Sequence, residues 1–157
     1  MTQAFFVIVA AGVTAGFAVW QLYHRRHLHL TASEWALRDR ISDCDFLQRC
    51  GPFPNELAKE VAVAARRAIA VLATVPSDTI YPENSFADDL SDLPYWDSLD
   101  WLGFILETER QMNYRVVISS QIVMEGIAKV GGYRRLSVGD LIHVTAIAAT
   151  LREPLNS

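Results

Sequence analysis

The sequence predicts an all-α chain, in which an N-terminal transmembrane helix is followed by a four-helix bundle. Residues 4–23 form an uncharged, apolar run of twenty residues, the length of a helix that spans the hydrocarbon of a bilayer. From residue 55 onwards, apolar side chains recur at helical spacing, and Pro, Gly and capping residues separate helix-length segments. Half of the residues are apolar and a fifth are charged, which excludes the disordered class.

The apolar run is interpreted as a retained anchor rather than a cleavable signal peptide. Trp20 and Tyr23 lie near its end, where interfacial aromatic residues are favoured, and Arg25 and Arg26 follow. A signal peptide would carry positive side chains before the run. Residues 1–30 are therefore predicted to be a single-pass anchor in the lipid bilayer of the cell membrane, with the C-terminal domain in the cytoplasm. A buried core helix is the alternative.

Two further features of the N-terminal segment bear on assembly and metal binding. Gly12 and Gly16 form a small-xxx-small pair, which is compatible with a homodimer through the membrane helix. Of the three histidines after the run, His24, His27 and His29, only the first two share a helix face. They are assigned to the basic juxtamembrane segment, and no metal site is predicted.

The charges are distributed unevenly along the chain. Residues 76–100 carry seven acids and no Lys or Arg, which leaves a net charge of +3 on the rest because the whole chain is −4. This acidic stretch would repel nucleic acid and steer a basic protein partner towards it. Cys44 and Cys50 are the only cysteines, too few for a disulfide scaffold, and are predicted to be reduced thiols.

Residues 31–51 are predicted to form a connecting helix. Thr31 and Glu34 form a capping box at its start, Trp35 and Ile41 contribute to its apolar side, and Gly51 ends it. Two placements stay open at this point, a lid on the following domain or a position on the membrane surface.

Residues 52–157 are predicted to be the main domain. Asn55 is a good N-cap for its first helix, which ends before Pro76, with Arg66 and Arg67 mostly off the apolar stripe. A loop over residues 76–96 follows. Its apolar side chains are expected to hold it in the core, namely Ile80, Phe86, Leu90, Leu93 and Trp96.

The remaining helices start at polar caps. Asp97 can cap the second helix, which places Ser98 in its first turn and Asp100 at N3. The apolar face of that helix is assigned to Leu102, Ile105, Leu106 and Met112. Ser119 or Ser120 can cap a third helix, and Ser137 and Asp140 form a capping-box-like start for the last one.

Three motifs of the domain resemble acyl carrier proteins. They are the D-S-L-D of residues 97–100 at a helix start, the turn over residues 85–90 before it, and the opening of the last helix over residues 136–142. The resemblance covers residues 54–152 and implies an acyl-carrier-like bundle. It also implies a 4'-phosphopantetheine arm on Ser98, flanked by the recognition residues Asp97, Leu99 and Asp100.

The resemblance further implies a carrier rather than an enzyme, one that holds acyl groups as thioesters for fatty-acid, lipid or polyketide-type metabolism. Its partners would be a phosphopantetheinyl transferase and acyl-loading and acyl-transfer enzymes. Departures from the family are Trp101 and Gly103 on the serine helix and the longer loop before it. A serine hydrolase is disfavoured because there is no G-x-S-x-G. The alternative is a membrane-tethered carrier-fold protein-interaction module without the arm.

Overall fold

The computed structural model describes residues 34–90, 101–112 and 115–151. These residues form five α-helices, and the only bridge among them is an isolated antiparallel one between Ser85 and Ser137. The helices are α1 (Asp43–Cys50), α2 (Glu56–Ala73), α3 (Trp101–Gln111), α4 (Ser120–Lys129) and α5 (Val138–Thr150). Short 3-10 turns lie at Ser77–Thr79 and Tyr133–Arg135.

The predicted fold class needs correction. The described residues are all-helical, as predicted, but none of their helices is long and apolar enough to cross a membrane. The longest of them, α2, has 18 residues and carries five charged side chains. The N-terminal transmembrane helix is therefore not supported, and residues 4–23, on which it was placed, lie outside the described part. The predicted bilayer contact and homodimer depend on the same residues.

Helix α2 is the central helix of the bundle. Asn55 caps it as predicted, with its side-chain oxygen accepting from the amide of Ala58 at 2.9 Å, and Thr74 ends it in the left-handed conformation. Many of its residues are alanines, which let neighbouring helices approach closely. It packs most extensively against α5 and α3.

The segment before α2 differs from the predicted single helix over residues 31–51. The chain is helical at residues 34–36, irregular over 37–42, and helical again in α1, where Ser42 caps the new helix by accepting from the amide of Asp45. Trp35 and Phe46 are buried in the same core as α2 and α5. Gly51 ends α1 with a φ of 102°. The segment therefore covers one side of the bundle.

Helices α4 and α5 begin where the sequence predicts. Ser119 is the cap of α4, and Ser137 and Asp140 form a capping box at the start of α5. Gly126 faces Val144 so closely that a Cβ at this position would clash with both valine methyl groups. The two helices thus pack at a distance that only glycine permits here.

Candidate functional site

The structure describes the segments that come before and after the predicted site. The described chain stops at Leu90 and resumes at Trp101. The four predicted site residues lie outside the described part, namely Asp97, Ser98, Leu99 and Asp100. Their placement stays a prediction, and the geometry that bears on it is that of the loop before them and of α3 after them.

Three buried side chains hold the loop in the core. Ile80, Phe86 and Leu90 are fully buried, as the sequence predicted, whereas Leu93 and Trp96 fall outside the described residues. Phe86 and Leu90 lie on either side of a polar turn, so the loop is fixed up to the last residue described before the site.

Polar contacts shape that turn. The Ser85 hydroxyl accepts from the amides of Ala87 and Asp88 at 3.2 and 3.3 Å. The Asp89 carboxylate accepts from the amide of Ser85 at 2.8 Å, in the manner of a capping box. Asp88 is exposed. Asp88 is thus free to meet a partner, whereas Asp89 is part of the turn itself.

Residues 82–86 of the loop are fixed to the start of α5 by main-chain hydrogen bonds. The Phe86 amide donates to the carbonyl of Leu136 at 3.1 Å, the Val138 amide to Asn84 at 2.8 Å, and the Gly139 amide to Pro82 at 2.8 Å. A Cβ on Gly139 would lie 3.2 Å from Pro82. The motif that opens the last helix therefore holds the loop that precedes the serine.

Asn84 is a residue that the sequence reasoning missed. It is buried, and its side-chain oxygen accepts from the amide of Tyr81 at 2.8 Å while its carbonyl accepts from Val138. Asparagine favours such turns because its side chain bonds to nearby backbone. The Pro-Glu-Asn run at residues 82–84 was the available signal.

The buried face of α3 is only partly the predicted one. Phe104, Ile105 and Thr108 are buried, whereas Leu102 and Leu106 are 56% and 55% exposed, so the assignment of these two leucines to the core is wrong. Six consecutive apolar residues at 101–106 leave the helical face ambiguous. The face that is buried includes Thr108. This polar side chain can be buried because its hydroxyl donates to the Phe104 carbonyl at 2.8 Å.

Trp101 lies towards the core rather than across the outer face of α3. Its ring centroid is 6.4 Å from that of Phe86 at an interplanar angle of 54°, and the residue is partly buried. The bulky side chain after the D-S-L-D therefore packs on the loop and does not cover the outer face of the helix.

Charge pairing modifies the predicted acidic surface. Arg40 lies 3.2 Å from Asp78, and Arg38 lies 3.6 Å from Asp89. Both arginines come from the segment before α1, so they neutralise two carboxylates of a loop that has no base of its own. In this conformation, the surface offered to a basic partner is less negative than the sequence suggested.

Arg66 also lies elsewhere than the sequence predicts. Predicted to lie mostly off the apolar stripe, it is fully buried. Its guanidinium donates to the Ile80 carbonyl at 3.1 and 3.3 Å, to the Ile41 carbonyl at 3.2 Å and to the Asp43 carboxylate at 2.9 Å. It also lies 4.3 Å from the centre of the Phe46 ring. One side chain thus joins α2, α1, the segment before α1 and the loop.

Burial changes the acidity of two groups at this junction. It lowers the pKa of Arg66, and the hydrogen bond and charge of Asp43 oppose that shift. Burial also raises the pKa of Cys50 to about 12, with the negative charge of Glu83 adding to the effect and Arg66 opposing it. Cys44 and Cys50 are free thiols, as predicted. At neutral pH Cys50 carries no thiolate and is a poor nucleophile.

His143, the histidine of the bundle, does not form part of a catalytic group among the described residues. Its ring packs on Phe53 with centroids 5.3 Å apart, and its Nδ1 is buried with no hydrogen-bond partner there. Within the same residues, no group of three His, Cys, Asp or Glu side chains is placed to hold a metal.

Comparison with protein-family models, curated proteins and solved structures gives no match. What the protein does must therefore be inferred from its own residues.

Proposed function

We propose that this protein is an acyl carrier, which holds acyl groups as thioesters on a 4'-phosphopantetheine arm attached to Ser98. The observation that carries the proposal is the frame around residues 97–100. A loop fixed by Phe86 and Leu90 leads into the D-S-L-D, and a helix follows it directly. These are the elements on which the resemblance to acyl carrier proteins rests, in the same order along the chain.

The described surroundings fit a long arm that other proteins must reach. Trp101 packs inwards on Phe86, so its ring does not cover the outer face of α3. Leu102 and Leu106 are more than half exposed on that face. They come four and eight positions after Ser98, a spacing that would put them on the side of the serine if the helix begins where the sequence predicts. A partner enzyme that approaches the serine would meet these two leucines, and burying them would stabilise the complex.

The roles of the protein's own residues follow from the predicted helix start. The Ser98 oxygen would attack the phosphorus of the arm's donor and become the ester oxygen of the new phosphodiester, while the hydroxyl proton passes to a base of the transferase. The phosphoanhydride bond that joins the arm to the nucleotide part of the donor would break, and the nucleotide would leave with the electron pair. Free amides at a helix N-terminus attract the new negative charge, while Asp97 and Asp100 offset part of that attraction. The bound group supplies a thiol for acyl transfer, and the protein supplies placement and recognition.

A loading assay tests the proposal. Purified protein is incubated with a phosphopantetheinyl transferase of broad specificity and its pantetheine donor, and the mass is measured. We expect one added arm on the unaltered chain and none on Ser98→Ala. Ser120→Ala is the matched control, because Ser120 is an exposed serine in the first turn of α4 and its loss should leave loading unchanged.

Folding of the Ser98→Ala variant separates lost chemistry from lost structure. An exposed first-turn serine contributes within about 0.5 kcal/mol, so its thermal unfolding should match that of the unaltered protein. Failure of the unaltered, folded protein to accept the arm would contradict the proposal. It would favour the alternative, an interaction module that binds partners through the outer face of α3.

A further inference from the structure

The segment over residues 34–42, here called the strap, is held on the domain by contacts unlike those that hold the bundle. It is mostly irregular, and it joins the loop through main-chain and charged groups. The amide of Ile41 donates to the carbonyl of Asp78 at 2.9 Å, and the Tyr81 hydroxyl donates to the carbonyl of Asp39 at 2.6 Å. The Arg40–Asp78 and Arg38–Asp89 ion pairs complete the set.

Arg66 connects the strap to the loop through the buried interior. Its Nη2 donates both to Ile41 in the strap and to Ile80 in the loop, at 3.2 and 3.1 Å. The two carbonyls therefore share one buried donor. Trp35, 2% exposed, seats the beginning of the strap in the core, with Arg38 stacked 3.9 Å above the centre of its ring.

The two halves of the loop have different attachments. The first half, residues 76–81, contacts the strap directly at Asp78 and Tyr81 and is connected to it at Ile80 through Arg66. The second half, residues 82–90, is fixed at the start of α5 by the three main-chain hydrogen bonds described above, and meets the strap through one ion pair at Asp89, whose two side chains are 34% and 35% exposed. An ion pair that solvent reaches contributes about 0–1 kcal/mol, so the second half depends mainly on α5.

We propose that the strap opens as a unit, and that its opening frees the first half of the loop while the second half stays on α5. Local opening of this kind is expected where contacts are exposed and few apolar groups are buried, and only Trp35 and Ile41 of the nine strap residues are buried. Opening separates the partly exposed carboxylates of Asp78 and Asp89 from their arginine partners. The strap is thus a cover that controls how much negative charge the protein shows on the loop that leads to residues 97–100.

Hydrogen exchange of single amides in the full chain tests the opening. The double variant Tyr81→Phe/Arg40→Gln removes two strap contacts without leaving a buried polar group unpaired. We expect the amides of Ile41, Thr79 and Ile80 to exchange about fivefold to tenfold faster, the effect of losing two weak contacts on a local opening.

The amides of Phe86, Val138 and Gly139 are the internal reference, because they hold the second half of the loop on α5, and their exchange should change by less than about twofold. Glu56→Gln is the matched control variant, because it removes an exposed ion pair to Lys59 within α2. It should accelerate neither set. Equal acceleration of both sets in the double variant would contradict a separate strap, and so would the absence of any acceleration.

A consequence for the site rests on the proposed function and is measured separately. If a basic transferase approaches along the loop, the double variant should be loaded at Ser98 about twofold to threefold faster at low salt, and the advantage should vanish at high salt. If the double variant shows faster hydrogen exchange but is loaded at the rate of the unaltered protein, the strap opens but does not regulate loading. A chain that is never loaded would contradict the carrier function and leave the exchange result to decide on the strap.

Discussion

Replacing Arg66 tests how much of the stability depends on one buried side chain. Arg66→Met keeps an unbranched stem beside Phe46 and removes the guanidinium. The carbonyls of Ile41 and Ile80 then lose their buried donor, and each such loss costs about 1–3 kcal/mol. Asp43 is 41% exposed and keeps Arg67 at 3.0 Å, so it adds little. Two such losses amount to about 2–6 kcal/mol of unfolding free energy, and we expect about 3 kcal/mol because buried carbonyls tolerate a missing partner better than buried N–H groups.

Arg67→Met is the matched control. Arg67 is adjacent in sequence and bonds to the same carboxylate, but its side chain is 50% exposed, so its loss should cost about 0–1 kcal/mol. Urea unfolding followed by helical circular dichroism measures both. With an m-value of about 2 kcal/mol/M, Arg66→Met should lower the midpoint by about 1.5 M and Arg67→Met by less than about 0.5 M. Equal shifts for the two variants would refute the hub role of Arg66.

Three other predictions concern packing, pH and reactivity. Gly126→Ala should cost about 1–3 kcal/mol by overpacking α4 on α5, and an unchanged melting temperature would contradict that close contact. The hydrogen bonds from Arg110 lower the pKa of Glu107 below its usual 4.5, so this carboxylate stabilises the fold above pH 4.5 and loses that effect as the pH falls through its folded value. Unfolding free energies of Glu107→Gln and the unaltered protein should therefore converge at low pH, and parallel pH profiles would argue against it. In native protein at pH 8, iodoacetamide should modify Cys44 much faster than Cys50, whose raised pKa suppresses the thiolate, and equal rates would contradict the buried thiol.

Local sequence signals predicted the parts of the fold that depend on neighbouring residues. The cap at Asn55 and the capping box of Ser137 and Asp140 are made by side chains that bond to backbone three residues away. Phe86 and Leu90 are isolated apolar side chains within a polar loop, and burial is their most favourable placement. The structure places all five residues as the sequence predicts.

The features that sequence reasoning missed depend on contacts between distant segments. Arg66 is buried because carbonyls of Ile41 and Ile80 converge on it, and a carbonyl leaves no trace in the identity of its residue. The apolar run at 101–106 permits several helical faces, so the exposure of Leu102 and Leu106 was not predictable from spacing.

The most direct test of the carrier function is the mass of the protein purified from its native host. Trypsin should release the peptide of residues 68–110, since no Lys or Arg lies between Arg67 and Arg110. Ser77, Ser85 and Ser91 share that peptide with Ser98, so fragmentation must locate the added group. We predict a phosphopantetheine-sized increment on Ser98 that is absent from Ser98→Ala. A native protein that is entirely unmodified on this peptide, and that a broad-specificity transferase also fails to load, would contradict the carrier function.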